Sequence, residues 1–219
     1  RVAGPTINGL VTELVARMQA EAPHVGLEWV TPSPTMAADL VGEQIDVAWG
    51  NANSPLPDGL RAEAIAPMKR YVFGRRGHPG TNEWSLETWL SWPHAVVRIP
   101  TAIHGTVEEQ LTSLGLKRRI GLHLTNWSGI APALLRTNLL SNQPVLTFAE
   151  CPDLDDFQVF LPPIPLPDLT FRVIWNARLD ADPATRWIRR MLRTSLEALL
   201  HRLNAQLQAN EIVQPRTTP

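Results

Sequence analysis

The chain has 219 residues, of which 44% are apolar and 19% charged, so it can bury a sizeable core and is not an intrinsically disordered chain. Twenty Lys and Arg against 21 Asp and Glu leave a net charge of -1, which gives no overall attraction to nucleic acid or to an anionic membrane. The single cysteine, Cys151, excludes an intramolecular disulfide and a cysteine-based metal cluster. No apolar run approaches the ~18 residues of a membrane-spanning helix, so no membrane contact is expected.

The first part of the chain alternates strands and helices. A strand over residues 1–3 precedes an apolar stripe at helical spacing that ends before Pro23, and residues 25–29 alternate as a second strand. A shorter helical stripe over residues 35–43 leads to a third strand at 45–49. This order predicts a parallel sheet with helices on its faces.

Strands at 60–66 and 69–75 complete the first unit, and a boundary is predicted after residue 77. The elements expected beyond it are helices near 85–90, 106–114 and 128–136, strands at 94–99, 119–125 and 138–143, and a helical turn at 144–150.

Four prolines among residues 162–167 predict an extended connector, which a strand at 171–175 and a long helix from Pro183 follow. If this strand and helix return to the first unit, the chain crosses twice between two α/β subdomains. We therefore expect residues 1–77 with 171–208 as one subdomain, 78–170 as the other, and 209–219 as a disordered tail.

Signatures of catalysis are missing from the sequence. It contains no zinc-protease, serine-hydrolase, dinucleotide-binding or phosphate-loop motif, and its six histidines are scattered. Cys151 lacks a nucleophile signature and is interpreted as a structural thiol, while the acidic loop of Asp153, Asp155 and Asp156 is interpreted as solvated rather than as a cation site. We expect no enzymatic activity, no metal and no cofactor.

Two basic runs are interpreted as solvated faces rather than as anion or nucleic-acid patches, since the whole chain is close to neutral. They comprise Arg186, Arg189, Arg190 and Arg193 at helical spacing, and Lys117, Arg118 and Arg119.

Polar and aromatic residues follow four of the predicted strands. Because ligands of open α/β sheets bind beyond the carboxyl ends of strands, these corners are the candidate ligand site. The candidate residues are Pro5, Thr6, Ser33, Thr35, Arg98, Thr101, Asn126, Trp127 and Ser128.

Each corner has an alternative interpretation. Thr6, Ser33 and Ser128 are equally typical of helix caps, and the guanidinium of Arg98 suits a bound carboxylate or an ion pair between the lobes. Trp127 and Trp49 suit the walls of an apolar pocket, although core packing is favoured for Trp49.

Several stretches, in their order and spacing, resemble the effector-binding region of LysR-type transcriptional regulators. They are Gly4-Pro5-Thr6-Ile7, Ala22-Pro23-His24-Val25, Ile45-Asp46-Val47-Ala48 and His78-Pro79. The second half, with Leu111-x-x-x-Gly115, Pro162-Pro163, Phe171-x-Val173-x-Trp175 and Asp182-Pro183, resembles the branch that regulates nodulation and aromatic catabolism. Asn176 departs from the histidine common in that branch, and Asn126-Trp127 is bulkier than expected there.

The resemblance implies a fold similar to type 2 periplasmic binding proteins, with two Rossmann-like subdomains joined by a two-crossing hinge. It implies a small organic acid inducer, aromatic acids included, bound between the lobes by residues such as Thr6, Ser33, Arg98, Thr101 and Asn126. It also implies a cytoplasmic regulator that contacts DNA only through an upstream helix-turn-helix domain and forms dimers of this region and a homotetramer when intact. The alternative is a periplasmic-type solute receptor of a transporter, because fold does not fix function.

Overall fold

A computed structural model describes residues 1–52, 55–65, 67–98, 106–151 and 153–216. The helices are α1 (Asn8–Glu21), α2 (Met36–Val41), α3 (Leu86–Ser91), α4 (Thr106–Ser113), α5 (Ile130–Leu135) and α6 (Pro183–Ala209). The strands are β1 (Val2–Ala3), β2 (Trp29–Val30), β3 (Val47–Asn51), β4 (Leu60–Ala64), β5 (Arg70–Arg75), β6 (His94–Val97), β7 (Ile120–Leu124), β8 (Ser141–Pro144), β9 (Phe157–Phe160), β10 (Phe171–Asn176) and β11 (Ile212–Val213).

Unit 1 contains Arg1–Pro67 and Thr170–Leu200 and is built on one five-stranded sheet. Its strand order is β2-β1-β3-β10-β4, in which β1 runs parallel to β2 and β3 while β10 runs antiparallel to β3 and β4. The parallel arrangement predicted for the first three strands is therefore confirmed. The late strand β10 enters the sheet between two early ones, which closes unit 1 with a distant part of the chain.

Helices cover the sheet of unit 1. Leu40 of α2 packs with Ala48 and Ile174 in one apolar cluster. Helices α1 and α6 are held together by two side-chain hydrogen bonds, from Arg17 Nη1 to Thr194 Oγ1 at 3.1 Å and from Trp187 Nε1 to Glu21 Oε2 at 3.2 Å. The N-terminus of α6 is capped as predicted, since Thr185 N donates to Asp182 Oδ2 at 2.7 Å, a bond that lowers the pKa of Asp182.

Unit 2 lies within Met68–Pro100, His104–Leu169 and His201–Pro219. One sheet has the order β11-β9-β5-β8, and β6 pairs in parallel with β7. A parallel bridge between His94 and Leu140 sets β6 beside β8. One of its apolar clusters brings Trp84 and Trp89 against Val72 and Phe160, with Leu111 of α4.

The fold differs from the sequence expectations at one boundary and at two strands. The boundary predicted after residue 77 falls at Pro67, because β5 pairs with β8 and β9 of unit 2 rather than with unit 1. Strand β9 was not predicted, since its four residues directly follow an acidic turn and are too few to establish an alternation of polar and apolar types. The tail expected to be disordered contains β11, which pairs in parallel with β9 and gives Ile212 and Val213 backbone partners.

The basic face of α6 is not simply solvated. The Arg189 side chain is 13% exposed, lies 3.9 Å over the ring of Trp175, and donates to Asp180 Oδ1 at 3.2 Å. Arg186 Nε donates to the Asp180 backbone oxygen at 2.9 Å. These contacts hold the turn before α6, so the prediction of a solvated face is wrong for Arg189.

A buried guanidinium organises unit 2. The Arg118 side chain is 5% exposed and pairs with Glu108 of α4. Its Nη1 also lies 3.1 Å from Asn142 Oδ1 and 3.3 Å from His94 Nδ1. The solvated interpretation of this basic run is therefore wrong for Arg118, because a buried charge needs polar partners and this one has them on α4, β6 and β8.

Burial, together with the charge of Arg118, lowers the pKa of His94 from 6.5 to about 3. A neutral ring accepts from Arg118 at Nδ1 and donates from Nε2 to the Trp89 backbone oxygen at 2.9 Å. Protonation of His94 would place a second cation against Arg118 in the interior. The ring is therefore neutral throughout the physiological range.

We predict that acid weakens unit 2 through His94. Below pH 6.5 His94 is protonated in the unfolded chain, whereas in the folded chain it stays neutral down to about pH 3. The free energy of unfolding is therefore greatest above pH 6.5. It falls by up to about 1.4 kcal/mol per pH unit as the pH is lowered between these two values. Urea unfolding between pH 7 and pH 5 should show a shallower pH slope for His94→Gln. His24→Gln, at an exposed histidine, is the matched control, and an unchanged slope in His94→Gln contradicts the assignment.

Candidate functional site

The first predicted corner lies at the carboxyl ends of β1 and β2. Ala3 pairs with Val30, and Gly4 N donates to the Val30 backbone oxygen at 3.1 Å, so Pro5 and Thr6 leave the sheet at the edge where the chain also continues toward Ser33. The side chain of Thr6 is exposed, and the N-cap position of α1 is Ile7. Thr6 is thus not the cap of α1.

The hydroxyls of Ser33 and Thr35 form a directed chain of hydrogen bonds. Thr35 Oγ1 donates to Asp39 Oδ2 at 2.9 Å, and Ser33 Oγ lies 2.9 Å from Thr35 Oγ1. A hydroxyl has one proton, and that of Thr35 is committed to the carboxylate, so Ser33 is the donor in the second bond. The corner therefore offers the lone pairs of Ser33 and suits a ligand group that donates a hydrogen bond.

A buried tryptophan fixes the end of β1. The Trp49 ring is fully buried, which confirms the core interpretation favoured for it, and it packs 4.9 Å from Phe171 and 6.4 Å from Trp29 by ring centroids. A Cβ atom on Gly4 would come within 2.0 Å of Trp49 Cδ1 and Nε1. Trp29 Nε1 donates to the Gly4 backbone oxygen at 3.2 Å. Only glycine therefore fits where the chain turns toward Pro5 and Thr6.

The second predicted corner lies in unit 2 at the carboxyl ends of β6 and β7. Val97 pairs with Leu124, and Arg98 N donates to the Leu124 backbone oxygen at 2.8 Å. The Arg98 side chain is exposed and forms no ion pair with any residue that the structure describes. Thr101 lies outside the described residues. A guanidinium at this edge has its full hydrogen-bonding capacity available for an anion.

The loop between β7 and α5 carries the remaining predicted residues. Ser128 Oγ donates to Asn126 Oδ1 at 2.7 Å, so Ser128 orders this loop, whereas the N-cap of α5 is Gly129. Trp127 is half-buried, and its Nε1 donates to Gln143 Oε1 at 3.2 Å. The indole is therefore held in one orientation at the edge of the sheet.

Sequence reasoning missed the network that holds Trp127. Gln143 Oε1 also accepts from Thr147 Oγ1 at 3.3 Å, Gln143 Nε2 donates to Ser141 Oγ at 3.0 Å, and Ser141 Oγ donates to the Ala95 backbone oxygen at 2.7 Å. Every residue of β8 is buried. The available signal was the polar run Ser141-Asn142-Gln143 in a predicted strand, because buried polar side chains are retained where they bond one another.

The described residues show no metal site, reactive thiol or membrane-spanning helix. Within the described ranges no group of three or more His, Cys, Asp or Glu is placed to hold a metal ion, and Asp153 Oδ1 instead accepts from Asp155 N at 2.8 Å. Burial, reinforced by Glu150 and Asp156, raises the pKa of the Cys151 thiol to about 11, which keeps it protonated at neutral pH. In the described part of the chain no helix is both long and apolar enough to cross a membrane.

Comparisons with known proteins identify relatives of this arrangement. The family model "LysR substrate binding domain" matches residues 2–197. The HTH-type transcriptional regulator LinR of Sphingobium indicum is 26% identical over 202 residues, which are 90% of this chain and 66% of that protein. Nodulation protein D of a Bradyrhizobium species is 33% identical over 135 residues, or 60% of this chain and 40% of that protein. The chain thus spans less than two thirds of each of these relatives.

A solved structure shows the same fold. The regulatory domain of MexT, a transcriptional activator in Pseudomonas aeruginosa, superimposes with a TM-score of 0.73 at 23% identity and covers 89% of this chain and 96% of that one. The expected fold, that of effector-binding domains similar to type 2 periplasmic binding proteins, is thereby confirmed.

We predict that Gly4→Ala destabilises unit 1, because the added methyl group would overlap the buried Trp49 ring. The expected loss is about 1–3 kcal/mol of unfolding free energy, typical of overpacking. Urea unfolding measures it. Gly50→Ala is the matched control on β3 beside Trp49, since its Cβ would meet nothing within 4 Å. Equal effects of the two substitutions would show that the Gly4 contact is not the constraint.

Proposed function

This chain belongs to the LysR substrate-binding domain family, and we propose that it is the ligand-sensing part of a transcriptional regulator. The observation that carries the proposal is the family match over residues 2–197. The relatives LinR and Nodulation protein D support it, as does the likeness of fold to the MexT regulatory domain. The remainder of the regulator, including a helix-turn-helix domain upstream of Arg1, is part of this proposal.

The competing functions have less support. A transporter receptor shares the fold, but LinR is named as a transcriptional regulator and MexT as a transcriptional activator. An enzyme on this scaffold needs a base or nucleophile with a suitable pKa in its site. The pKa of His94 is lowered to about 3, which makes it a poor base, and the pKa of Cys151 is raised to about 11, which keeps its thiol protonated. Neither group is therefore suited to catalysis at neutral pH.

The proposed ligand is a small organic acid that also carries a hydrogen-bond donor. Arg98 in unit 2 is the partner for its carboxylate, with Asn126 and Ser128 beside it at the same edge and Trp127 as an apolar surface. In unit 1, the lone pairs of Ser33 suit a hydroxyl or amine. The remaining members of the proposed site are Pro5, Thr6, Thr35 and Thr101. That a single ligand contacts both units stays a prediction.

Ligand binding transmits a signal only if the ligand favours one of two states of the regulator. In the proposed mechanism, the acid binds one arrangement of the domain more tightly than another and repositions the upstream DNA-binding domains. The chain itself carries a net charge of -1, which is consistent with DNA contact through the upstream domain alone.

The proposal includes a homo-oligomer in the cytoplasm, a dimer of this region and a tetramer when intact. Sheet edges support the dimer. Among the described strands, β2 pairs only with β1, and β7 pairs only with β6, so each offers a free edge. Free edges are the parts of a sheet that a second chain covers most readily.

The native reading frame upstream of Arg1 decides between the two leading functions. We expect it to encode a basic helix-turn-helix domain and a linker helix, because the matched relatives extend well beyond this domain. Sequencing that frame is the measurement. A secretory signal peptide with nothing else before Arg1 would overturn the regulator and establish an exported binding protein.

We predict that Arg98→Gln weakens binding of 4-hydroxybenzoate about tenfold, through loss of a charge-assisted hydrogen bond. Ser33→Ala should reduce the affinity for 4-hydroxybenzoate to that for benzoate and leave benzoate binding unchanged, because only the hydroxylated acid donates to Ser33. Isothermal titration calorimetry gives both constants. Arg136→Gln, at an exposed arginine ending α5, is the control. Unchanged binding of 4-hydroxybenzoate by both Arg98→Gln and Ser33→Ala would contradict the site assignment.

A further inference from the structure

A cavity of about 420 Å³ opens in unit 2 away from the predicted ligand corner. It lies between the end of α3, at Ser91 and Trp92, and the segments that enter β7 and β8, at Arg119 and Asn138. These are the amino-terminal ends of β6, β7 and β8, whereas Arg98 and Asn126 follow the carboxyl ends of β6 and β7. The volume falls within the range of about 300–1,000 Å³ typical of small-molecule pockets.

The walls of this cavity combine apolar surface with one positive charge. Trp92, Pro93 and Leu139 supply the apolar part. Arg119 is exposed and forms no ion pair with a residue in the described ranges. Its neighbour Arg118 turns inward and pairs with Glu108, so Arg119 is the charged residue among the described residues that line the cavity.

Asn138 is held in place at the rim. Its Oδ1 accepts from Arg75 Nε at 2.9 Å, and its backbone oxygen lies 3.2 Å from His78 Nε2. His78 Nδ1 accepts from Gly80 N at 3.0 Å, so Nε2 carries the proton and donates to Asn138. With both oxygens occupied, the Nδ2 amino group is the donor that Asn138 can offer to a ligand.

The aromatic wall is equally fixed. The His78 ring meets Trp92 edge-on at 4.9 Å between centroids, with an angle of 75° between the planes. Trp92 packs beneath on the apolar cluster of Trp84 and Trp89. A guanidinium, an amide donor and an immobilised indole therefore line one cavity, and the amide and the indole are held by contacts with Arg75 and His78.

We propose that this cavity is a second binding site, separate from the inducer site, for a small aromatic carboxylate. The carboxylate accepts hydrogen bonds from Arg119 and from Asn138 Nδ2, and the ring lies on the apolar surface of Trp92, Pro93 and Leu139. An aliphatic acid would meet the same two donors but would leave the flat indole surface uncovered. The cavity belongs to unit 2 alone and does not depend on the proposed function.

The test uses benzoate and the whole chain carrying Arg98→Gln, which weakens the predicted inducer site, and binding is read at residues of the cavity itself so that the two sites are distinguished. Titration is followed by ¹H–¹⁵N NMR at the indole N–H of Trp92 and the side-chain amide of Asn138. We expect saturable shifts at both groups with a Kd of about 1 mM, as is usual for a ligand of this size. Cyclohexanecarboxylate is expected to bind more weakly.

Addition of Arg119→Gln should weaken benzoate binding about tenfold, whereas Lys117→Gln, which removes an exposed charge two residues away, should leave it unchanged. Absence of saturable shifts at Trp92 and Asn138 would overturn the proposal. Equal loss in Lys117→Gln and Arg119→Gln would also overturn it, since it would reveal non-specific attraction to a basic loop. Neither result bears on Arg98, so the proposed function is tested separately.

Discussion

The burial of Arg118 is the interaction on which unit 2 depends. A guanidinium that is 5% exposed must be paired, and its partners Glu108, His94 and Asn142 come from α4, β6 and β8. Those three elements are consequently fixed relative to one another. The same constraint turns Arg119 outward, because successive residues of an extended segment point in opposite directions. One buried charge thus accounts both for the packing of this unit and for the position of its exposed cation.

The two predicted corners differ in chemistry although both lie at carboxyl ends of parallel strands. In unit 1, Thr35 donates to Asp39 and Ser33 donates to Thr35, so that corner presents the lone pairs of Ser33 as acceptors. In unit 2, Arg98 presents donors and a positive charge. The ends of the strands thus determine where each corner lies. The neighbouring carboxylate or guanidinium determines whether the corner presents hydrogen-bond acceptors or donors.

Sequence periodicity predicted the helices α1 and α6 because their apolar residues recur at helical spacing over two turns or more, and a capping box with a following glycine predicted α4. Short elements were harder to predict from the sequence. β9 and β11 contribute four and two residues to unit 2, and their identity as strands comes from pairing with each other and with β5, which no local pattern encodes. The subdomain boundary was also beyond the local sequence pattern, since the residues of β5 suit a strand in either unit. Its pairing with β8 and β9 is what assigns β5 to unit 2.

For the site, the sequence placed Thr6, Ser33, Arg98 and Asn126 at strand ends, and the structure has them there. It did not reveal Gln143 or Asn138, whose importance comes from contacts made across the sheet.

The segment that joins these two residues bears on whether binding at one proposed site of unit 2 affects binding at the other. Asn138 begins the approach to β8 and Gln143 lies near its end, about 17 Å apart if fully extended. Between them β8 is buried and pairs with β5, and Leu140, just before β8, is bridged to His94 of β6. Coupling requires an element with two discrete arrangements, and these bonds favour one arrangement of the segment. Ligands at the Arg119 cavity and at the Arg98 corner should therefore bind without strong mutual influence.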